Sequence, residues 1–178
     1  ETGLGIKVIS LNLITEVEDE PVIWRGPVIN GVLNQMYQDT VWGDLDYLLI
    51  DMPPGTGDVP LTVFQSLPVD GIITVSSPQE LVSMVVEKSV NMAQMMNIPI
   101  LGIVENNSYF MCDQCGKKHY IYGKSKVDEI AKGYGIPVLG KLPIEPKLAE
   151  CVDNGSIEGF EGDWLNDGVE QIINSTQD

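Results

Sequence analysis

The sequence predicts a doubly wound α/β fold with a mainly parallel sheet, and two observations lead to this prediction. Nearly continuous apolar runs are typical of strands that helices cover on both faces. The regular distance between these runs leaves room for one helix each time, which is the rhythm of βαβ units. The four runs are Asp46–Asp51, Gly71–Ser76, Ile98–Val104 and Ile136–Leu142.

The segments between and around these runs predict the remaining elements. After Gly26-Pro27, apolar side chains from Ile29 to Tyr37 follow one helical stripe. Proline suits the first turn of that helix, because its missing N–H would have no partner there. Ser77-Pro78-Gln79-Glu80 has the pattern of a capping box and opens the next helix. Further helices are predicted over Ser125–Gly133, Pro146–Asn154 and Gly162–Asp178, and a first strand over Ile6–Ile14.

Composition restricts the function classes. Residues 1–178 are expected to form one domain, since no repeat, low-complexity segment or linker divides them. The formal net charge is −16, with 26 acidic and 10 basic residues. No Lys/Arg cluster along the sequence offsets this charge, so nucleic acid is not an expected partner. The absence of a long apolar run and of a visible secretion signal favours a cytoplasmic location without a membrane partner.

The most specific motif is Asp51-Met52-Pro53-Pro54-Gly55-Thr56-Gly57-Asp58, at the end of an apolar run. A plain strand-to-turn junction would account for Asp and Gly alone. Two prolines before Gly-Thr-Gly-Asp favour a rigid bend in which backbone amides approach an oxyanion closely. We therefore expect Asp51 to orient water on Mg²⁺, the Gly55 amide to lie near a terminal phosphate, and Thr56 to belong to a moving switch. No Gly-x-x-x-x-Gly-Lys-Ser/Thr loop occurs in the sequence.

A second motif, Glu105–Phe110, directly follows the predicted strand Ile98–Val104. Ligands of open α/β sheets bind beyond the carboxyl ends of the strands. An Asn side chain there can donate one hydrogen bond and accept another, which matches an adenine edge. An Asx turn is the simpler interpretation of Asn106-Asn107, but the neighbouring phosphate motif favours Asn106 as a nucleotide contact.

The third motif is the Cys-x-x-Cys pair of Cys112 and Cys115, which is followed by Gly116. Two thiolates at this spacing chelate one edge of a metal site. The sequence contains no second such pair, so a Cys₄ site would require two protomers about a twofold axis. Either Zn²⁺ or an iron–sulfur cluster suits four sulfur ligands, and a redox pair or an accidental pair is less consistent with the context. His119 is interpreted as a solvated loop residue, and Cys151 as a small buried hydrophobe.

In combination these motifs resemble the Mrp/Nbp-type iron–sulfur cluster carrier ATPases, which belong to the MinD/ParA-like P-loop group. The resemblance rests on the order of Trp24-Arg25-Gly26-Pro27, Asp51–Asp58, Pro99–Asn106 and the Cys112/Cys115 loop. It implies a homodimer that binds ATP and Mg²⁺, holds a bridging [4Fe–4S] cluster on paired Cys-x-x-Cys motifs and passes it to apo iron–sulfur proteins.

The resemblance also implies roles for individual residues. Asp51 would be the carboxylate on the Mg²⁺ side, Asn106 an adenine contact, and the backbone near Pro143 would close over the base. A Walker A strand, loop and helix are expected upstream of Glu1, so the P-loop NTPase fold is expected to be incomplete at its N-terminus. The sequence therefore makes no prediction of ATP hydrolysis by these 178 residues.

Two other functions stay open from the sequence. One is a zinc-bridged structural dimer without turnover, in which the same cysteines hold Zn²⁺. The other is a MinD/ParA-like positioning ATPase, which is disfavoured by the acidic composition, the cysteine pair and the lack of a basic amphipathic tail for membranes.

Overall fold

The computed structural model of the chain describes residues 1–13, 26–55, 57–79 and 82–176. These residues divide into two compact units, Glu1–Pro68 and Val69–Asp178. The expectation of one domain over residues 1–178 stays a prediction.

The first unit contains two α-helices that pack on each other. A short 3-10 helix spans Leu11–Leu13, α1 spans Gly26–Gln38 and α2 spans Asp58–Ser66. The Thr62 hydroxyl on α2 donates to Asn30 Oδ1 on α1 at 2.5 Å. The helix predicted after Gly26-Pro27 is therefore confirmed, whereas α2 was not predicted. Asp58 and Pro60 in its first turn are a helix-start signal that could have identified it.

Two predicted strands in the first unit are wrong. Residues 6–10 and 46–51 have no regular secondary structure, and the Leu49 side chain is 85% exposed. A strand exists only when its backbone groups bond to a neighbour. Among the described residues, no cross-strand pair involves either segment. The apolar character of Asp46–Asp51 and Ile6–Ile14 was therefore not sufficient to form a strand. Ile14 itself lies outside the described residues.

The second unit is built on a four-stranded sheet. The strand β2 pairs in parallel with β1 through Ile103, Val104 and Glu105, and the same three residues also pair in parallel with β4. The short β3 pairs antiparallel with the end of β2. The strands predicted over Gly71–Ser76 and Ile136–Leu142 are thus confirmed. The bounds are Ile72–Ser76 for β1, Ile100–Met111 for β2, Lys118–His119 for β3 and Val138–Pro143 for β4.

The strand β2 is longer than the sequence predicted. It does not end at Val104 but continues to Met111, so the Glu105–Phe110 motif lies within the strand and not after it. Partners from distant parts of the chain extend it, because Tyr109 pairs with Pro143 and Phe110 with His119. The register with β4 shifts between Glu105 and Tyr109, which is the mark of a β-bulge.

Four helices of the second unit alternate with or follow its strands along the described part of the chain. The predicted helices are present, with ends shifted by a few residues. The capping box proposed for the first of them includes Glu80, which lies outside the described residues. In the part of the chain that the structure describes, no helix has both the length and the apolar content to cross a membrane. The bounds are Val82–Met96 for α3, Val127–Tyr134 for α4, Pro146–Asp153 for α5 and Asn166–Thr176 for α6, with a 3-10 helix at Ile157–Gly159.

The core of the second unit lies between β2, α3 and α4. Its buried members are Val86 and Val90 on α3, Ile103 on β2, and Val127 and Ala131 on α4. This arrangement explains the apolar stripe of α3, because β-branched side chains at helical spacing face one layer of the sheet.

A close backbone approach joins α6 to β4. A Cβ atom at Gly168 would lie 2.3 Å from the Leu139 carbonyl oxygen, and one at Gly140 would lie 2.5 Å from the Trp164 carbonyl oxygen. Real Cβ contacts do not reach these distances, so both positions require glycine for the helix to lie against the strand.

The carboxyl group of Glu105 is fully buried in the middle of the sheet, with 0% exposure. Its Oε2 accepts a hydrogen bond from Ser108 Oγ at 2.5 Å, and its Oε1 accepts one from Ser125 Oγ at 2.5 Å. Ser125 Oγ in turn accepts from the Val127 N–H, at the start of α4, at 3.1 Å. One side chain therefore ties the irregular part of β2 to the first turn of α4.

Substitutions of Glu105 test how much its hydrogen bonds contribute to the free energy of unfolding. Glu105→Ala leaves both serine hydroxyls without their acceptor. The unpaired Ser108 hydroxyl is buried and costs about 1–3 kcal/mol, whereas the half-buried Ser125 hydroxyl costs less because water reaches it. We expect Glu105→Ala to lower the free energy of unfolding by about 2–4 kcal/mol. Glu105→Gln retains the shape and one acceptor oxygen, so its loss should be smaller, about 1 kcal/mol. Urea unfolding followed by circular dichroism measures both, and equal losses would contradict the role of the hydrogen bonds.

Candidate functional site

A tight hairpin connects β2 to β3 and carries Cys112 and Cys115. The Cys112 N–H donates to the Lys117 carbonyl at 3.0 Å, and the Gly116 N–H donates to the Cys112 carbonyl at 2.8 Å. Gly116 has a φ of 65°, in the left-handed region that favours glycine. Backbone hydrogen bonds and one glycine therefore hold the two thiols at the tip of the sheet.

The hairpin favours the thiolate form of Cys112. A hydrogen bond from the Cys115 N–H is the largest influence that lowers the pKa of Cys112 below its usual 9.0, followed by the Cys115 side chain and the Gln114 N–H. Partial burial and the Asp113 carboxylate raise the pKa of Cys112, but less. The thiolate is the form that binds metals, so the hairpin favours Cys112 as a metal ligand.

The structure adds His119 to the two cysteines. One ligand atom from each of Cys112, Cys115 and His119 lies within 4.8 Å of the others. His119 is exposed, as the sequence suggested, but it is on β3 opposite Phe110, so its interpretation as a loop residue is wrong. The sequence did contain a signal, because Gly116 between the cysteines and His119 turns the chain back on itself.

The third cysteine is separate from this group. Cys151 lies on α5, and its side chain is half-buried, so the expectation of a buried hydrophobe is wrong. Its helix has no buried residue, because α5 is short and lies at the surface. Cys151 therefore serves as an internal control for experiments on the hairpin.

Asn106 and Pro143 lie on neighbouring strands at one end of the sheet. Asn106 is on β2 between Glu105, which pairs with Lys141, and Tyr109, which pairs with Pro143. The Ile144 N–H continues this pairing with a hydrogen bond to the Tyr109 carbonyl at 2.7 Å. Two residues that the sequence assigned to a base-binding site thus lie on paired strands, and their role in binding a base stays a prediction.

The bulge determines what the Asn106 side chain can reach. The Asn106 side chain is exposed, and its Oδ1 accepts a hydrogen bond from the Asn107 N–H at 2.9 Å. Asn107 has a φ of 56°, a left-handed conformation that Asn tolerates better than most residues. This hydrogen bond comes from the next residue, so it is not an Asx turn, in which the N–H two residues further on donates. The amide NH2 group of Asn106 has no hydrogen-bond partner among the described residues and is free for a ligand.

Asp51 and Gly55 lie in the first unit, on the segment before α2. Both are exposed, and Gly55 has a φ of 95°, which glycine adopts at little cost. The helix α2 starts shortly afterwards at Asp58, so unpaired N–H groups of its first turn follow the Pro-Pro-Gly bend. The bend predicted from the sequence is present, and Thr56 lies outside the described residues.

A cleft in the second unit is lined by more basic than acidic side chains, in contrast to the acidic composition of the chain. Its volume is about 610 Å³, and Lys118, Lys124 and Lys141 are among its lining residues. The Lys118 ammonium lies over the Tyr109 ring, 4.1 Å from its centroid, while Lys141 pairs with Asp128. The sequence showed no basic cluster because Lys141 comes from β4, far along the chain from the other two.

Comparison with known protein families identifies the family of this chain. A family model described as ParA: NUBPL iron-transfer P-loop NTPase matches residues 1–175 of the chain. The chain belongs to this family. The resemblance inferred from its motifs is thereby confirmed.

Several curated relatives of this NUBPL-type chain are iron–sulfur cluster carrier proteins. The carrier protein of Clostridium perfringens is 54% identical over 160 residues, which cover 90% of this chain and 56% of the relative. That of Aquifex aeolicus is 44% identical over 151 residues, covering 85% of this chain and 42% of the relative. The chain therefore spans about half the length of the curated relatives it matches.

Solved structures support the fold class. A nucleotide-binding protein of Archaeoglobus fulgidus in complex with ADP aligns with a TM-score of 0.72 and 45% identity, covering 77% of this chain and 56% of that one. The cell division protein MinD of Aquifex aeolicus aligns over 86% of this chain and 63% of its own, with a TM-score of 0.56 and 18% identity, and shows the fold alone. The doubly wound, mainly parallel sheet of MinD-like P-loop type is therefore confirmed.

The lowered pKa of Cys112 has a measurable consequence. A thiol reacts with iodoacetamide as its thiolate, so the alkylation rate of Cys112 should rise with pH around a midpoint below 9.0. Site-resolved mass spectrometry of the metal-free chain gives that midpoint. Cys115→Ala removes the side-chain hydrogen bond but retains the backbone amides of residues 114 and 115, so the midpoint should rise only part of the way. A midpoint at or above 9.0 in the unmodified chain would contradict the described geometry.

Proposed function

We propose that this chain is an ATP-binding iron–sulfur cluster carrier. Cys112 and Cys115 hold a [4Fe–4S] cluster together with the same residues of a second protomer, and the homodimer passes the cluster to apo iron–sulfur proteins. The observation that supports this most is the hairpin itself, because its backbone hydrogen bonds hold Cys112 and Cys115 at an accessible tip in a chain of the iron-transfer family.

Stoichiometry supports the dimer. A [4Fe–4S] cluster is held by four cysteine thiolates, whereas one hairpin supplies two, and Cys151 lies elsewhere, on α5. Cys115 is exposed and Cys112 half-exposed, so the sulfur atoms are accessible to a second hairpin. An exposed, shared cluster is also accessible to a recipient protein, which suits a carrier more than an electron-transfer protein with a buried centre.

The nucleotide part of the proposal assigns five residues. Asp51 orients a water on Mg²⁺, and Gly55 and Thr56 contact the terminal phosphate. Asn106 and Pro143 contact the adenine base of ATP. The support is the glycine conformation at Gly55, the pairing that places Asn106 near Pro143, and a 45% identical relative whose structure contains ADP. We also propose a cytoplasmic location, and the net charge of −16 supports a chain that binds neither nucleic acid nor membrane surfaces.

Anaerobic reconstitution tests cluster binding. With ferrous iron and sulfide, the chain should form a brown dimer that contains about four iron atoms per two protomers, as a [4Fe–4S] cluster on four thiolates requires. Cys112→Ser and Cys115→Ser should each abolish the visible absorption and the dimer, because each variant removes two of the four ligands. Iron analysis and mass measurement in solution follow both properties.

The matched control is Cys151→Ser, which should retain the cluster because Cys151 lies on α5. Two results would contradict the carrier. One is stoichiometric Zn²⁺ at one ion per two chains that resists replacement by iron, which would favour a zinc-bridged structural dimer. The other is a stable cluster that is not delivered to any apo iron–sulfur protein tested.

Nucleotide binding is tested separately with a fluorescent ATP analogue and Mg²⁺. Asn106→Ala removes the side-chain hydrogen bonds to the base and should weaken binding about tenfold, which corresponds to about 1.4 kcal/mol. Asn107→Gly is the control, since glycine adopts the φ of 56° found there without strain, and binding should stay unchanged. Equal effects of the two substitutions would show that the bulge, and not the Asn106 amide, matters.

A further inference from the structure

We propose that His119 is a third metal ligand, so that one protomer by itself can hold a single divalent transition-metal ion of the zinc or iron(II) type. The ion would bind Cys112 Sγ, Cys115 Sγ and an imidazole nitrogen of His119. This inference rests on the proposed function for its biological meaning, because it uses the same two thiols, but its geometry requires one chain and no nucleotide.

The distances support a three-ligand site. In a tetrahedral zinc site with Zn–S near 2.3 Å and Zn–N near 2.1 Å, the ligand atoms are about 3.5–3.8 Å apart. The three ligand atoms of the hairpin lie within 4.8 Å of one another. The remaining difference of about an ångström is within the reach of small side-chain rotations, because Cys115 and His119 are exposed and unconstrained by packing.

The backbone explains why His119 and not a neighbour occupies this position. The antiparallel pairs Phe110–His119 and Met111–Lys118 fix the register of β3, and successive side chains of a strand alternate between faces. Lys118 lies over the Tyr109 ring and lines the cationic cleft. His119 therefore projects to the other face, where the cysteines are.

The chemistry of the three groups is that of an exchangeable metal site. Two thiolates and one imidazole match zinc and iron(II), and three protein ligands leave a fourth position open for water or an incoming ligand, unlike a closed structural site with four. On binding, Cys112 and Cys115 each release their thiol proton. A four-thiolate cluster shared by two protomers has no place for the imidazole, so the single-ion state and the cluster state use the hairpin differently.

Cobalt(II) is the probe, since its absorption reports both the number of sulfur ligands and tetrahedral geometry. Titrated anaerobically into the metal-free chain, Co²⁺ should bind at one ion per chain without dimerisation, with sulfur-to-cobalt bands and intense ligand-field bands. His119→Gln should weaken the affinity at least tenfold, since even the loss of an outer partner of a ligand costs 10–100-fold. The sulfur-to-cobalt bands per bound ion should remain.

Two further variants sharpen the result. His119→Cys should restore the affinity and add a third sulfur contribution to the charge-transfer band, which a merely structural role of His119 would not produce. Tyr120→Phe, at the neighbouring exposed position, is the control and should bind Co²⁺ like the unmodified chain. Unchanged Co²⁺ affinity in His119→Gln, or one ion per two chains from the start of the titration, would overturn the proposal.

The Co²⁺ titration and the cluster reconstitution can fail independently of each other. If Co²⁺ binds in a His119-dependent manner but reconstitution with iron and sulfide fails, then the carrier proposal is wrong and the single-ion site stands. If the cluster forms in both the unmodified chain and His119→Gln while Co²⁺ binding does not depend on His119, then the single-ion site is wrong and the cluster-binding part of the carrier proposal stands.

Discussion

The buried carboxyl group of Glu105 is the interaction on which the second unit depends. It lies in the middle of β2, where β1 pairs on one side and β4 on the other, and it is fully buried. A buried polar group is tolerated only with hydrogen-bond partners. Ser108 and Ser125 supply these partners, so the irregular part of β2 and the loop before α4 must come together for the sheet to form. The bulge is therefore part of the fold and not a defect in it.

Both candidate sites of the second unit lie beyond this point along one strand. Asn106 follows Glu105 directly on β2, and Cys112 follows the end of the same strand. The bulge sets the direction of the Asn106 side chain, while the pairing of Phe110 with His119 closes the hairpin that holds the thiols. A shift of β2 would therefore move Asn106 and the cysteine hairpin together, because both are continuous with this strand.

Local patterns predicted part of the fold well. The helices α1, α4 and α5 and the strands β1 and β4 follow from patterns that are local in the sequence, although α5 buries none of its residues. The wrong strand predictions have one cause, which is that strands require partners. Asp46–Asp51 is as apolar as β1 but pairs with no described strand, whereas the polar residues 105–110 form a strand because Pro143 and His119 lie beside them. Pairing is a property of distant segments, and periodicity does not contain it.

The same division applies to function. The sequence by itself determined the thiol pair and the glycine bend after Asp51, because each depends on residues that are neighbours along the chain. It also determined the family, through the order of such local motifs. The tertiary structure alone decided that His119 joins Cys112 and Cys115, that Lys118, Lys124 and Lys141 share a cleft, and that Asn106 falls in the register shift between β2 and β4. These groupings arise from turns and strand register, which place residues side by side according to hydrogen bonding and not according to sequence distance.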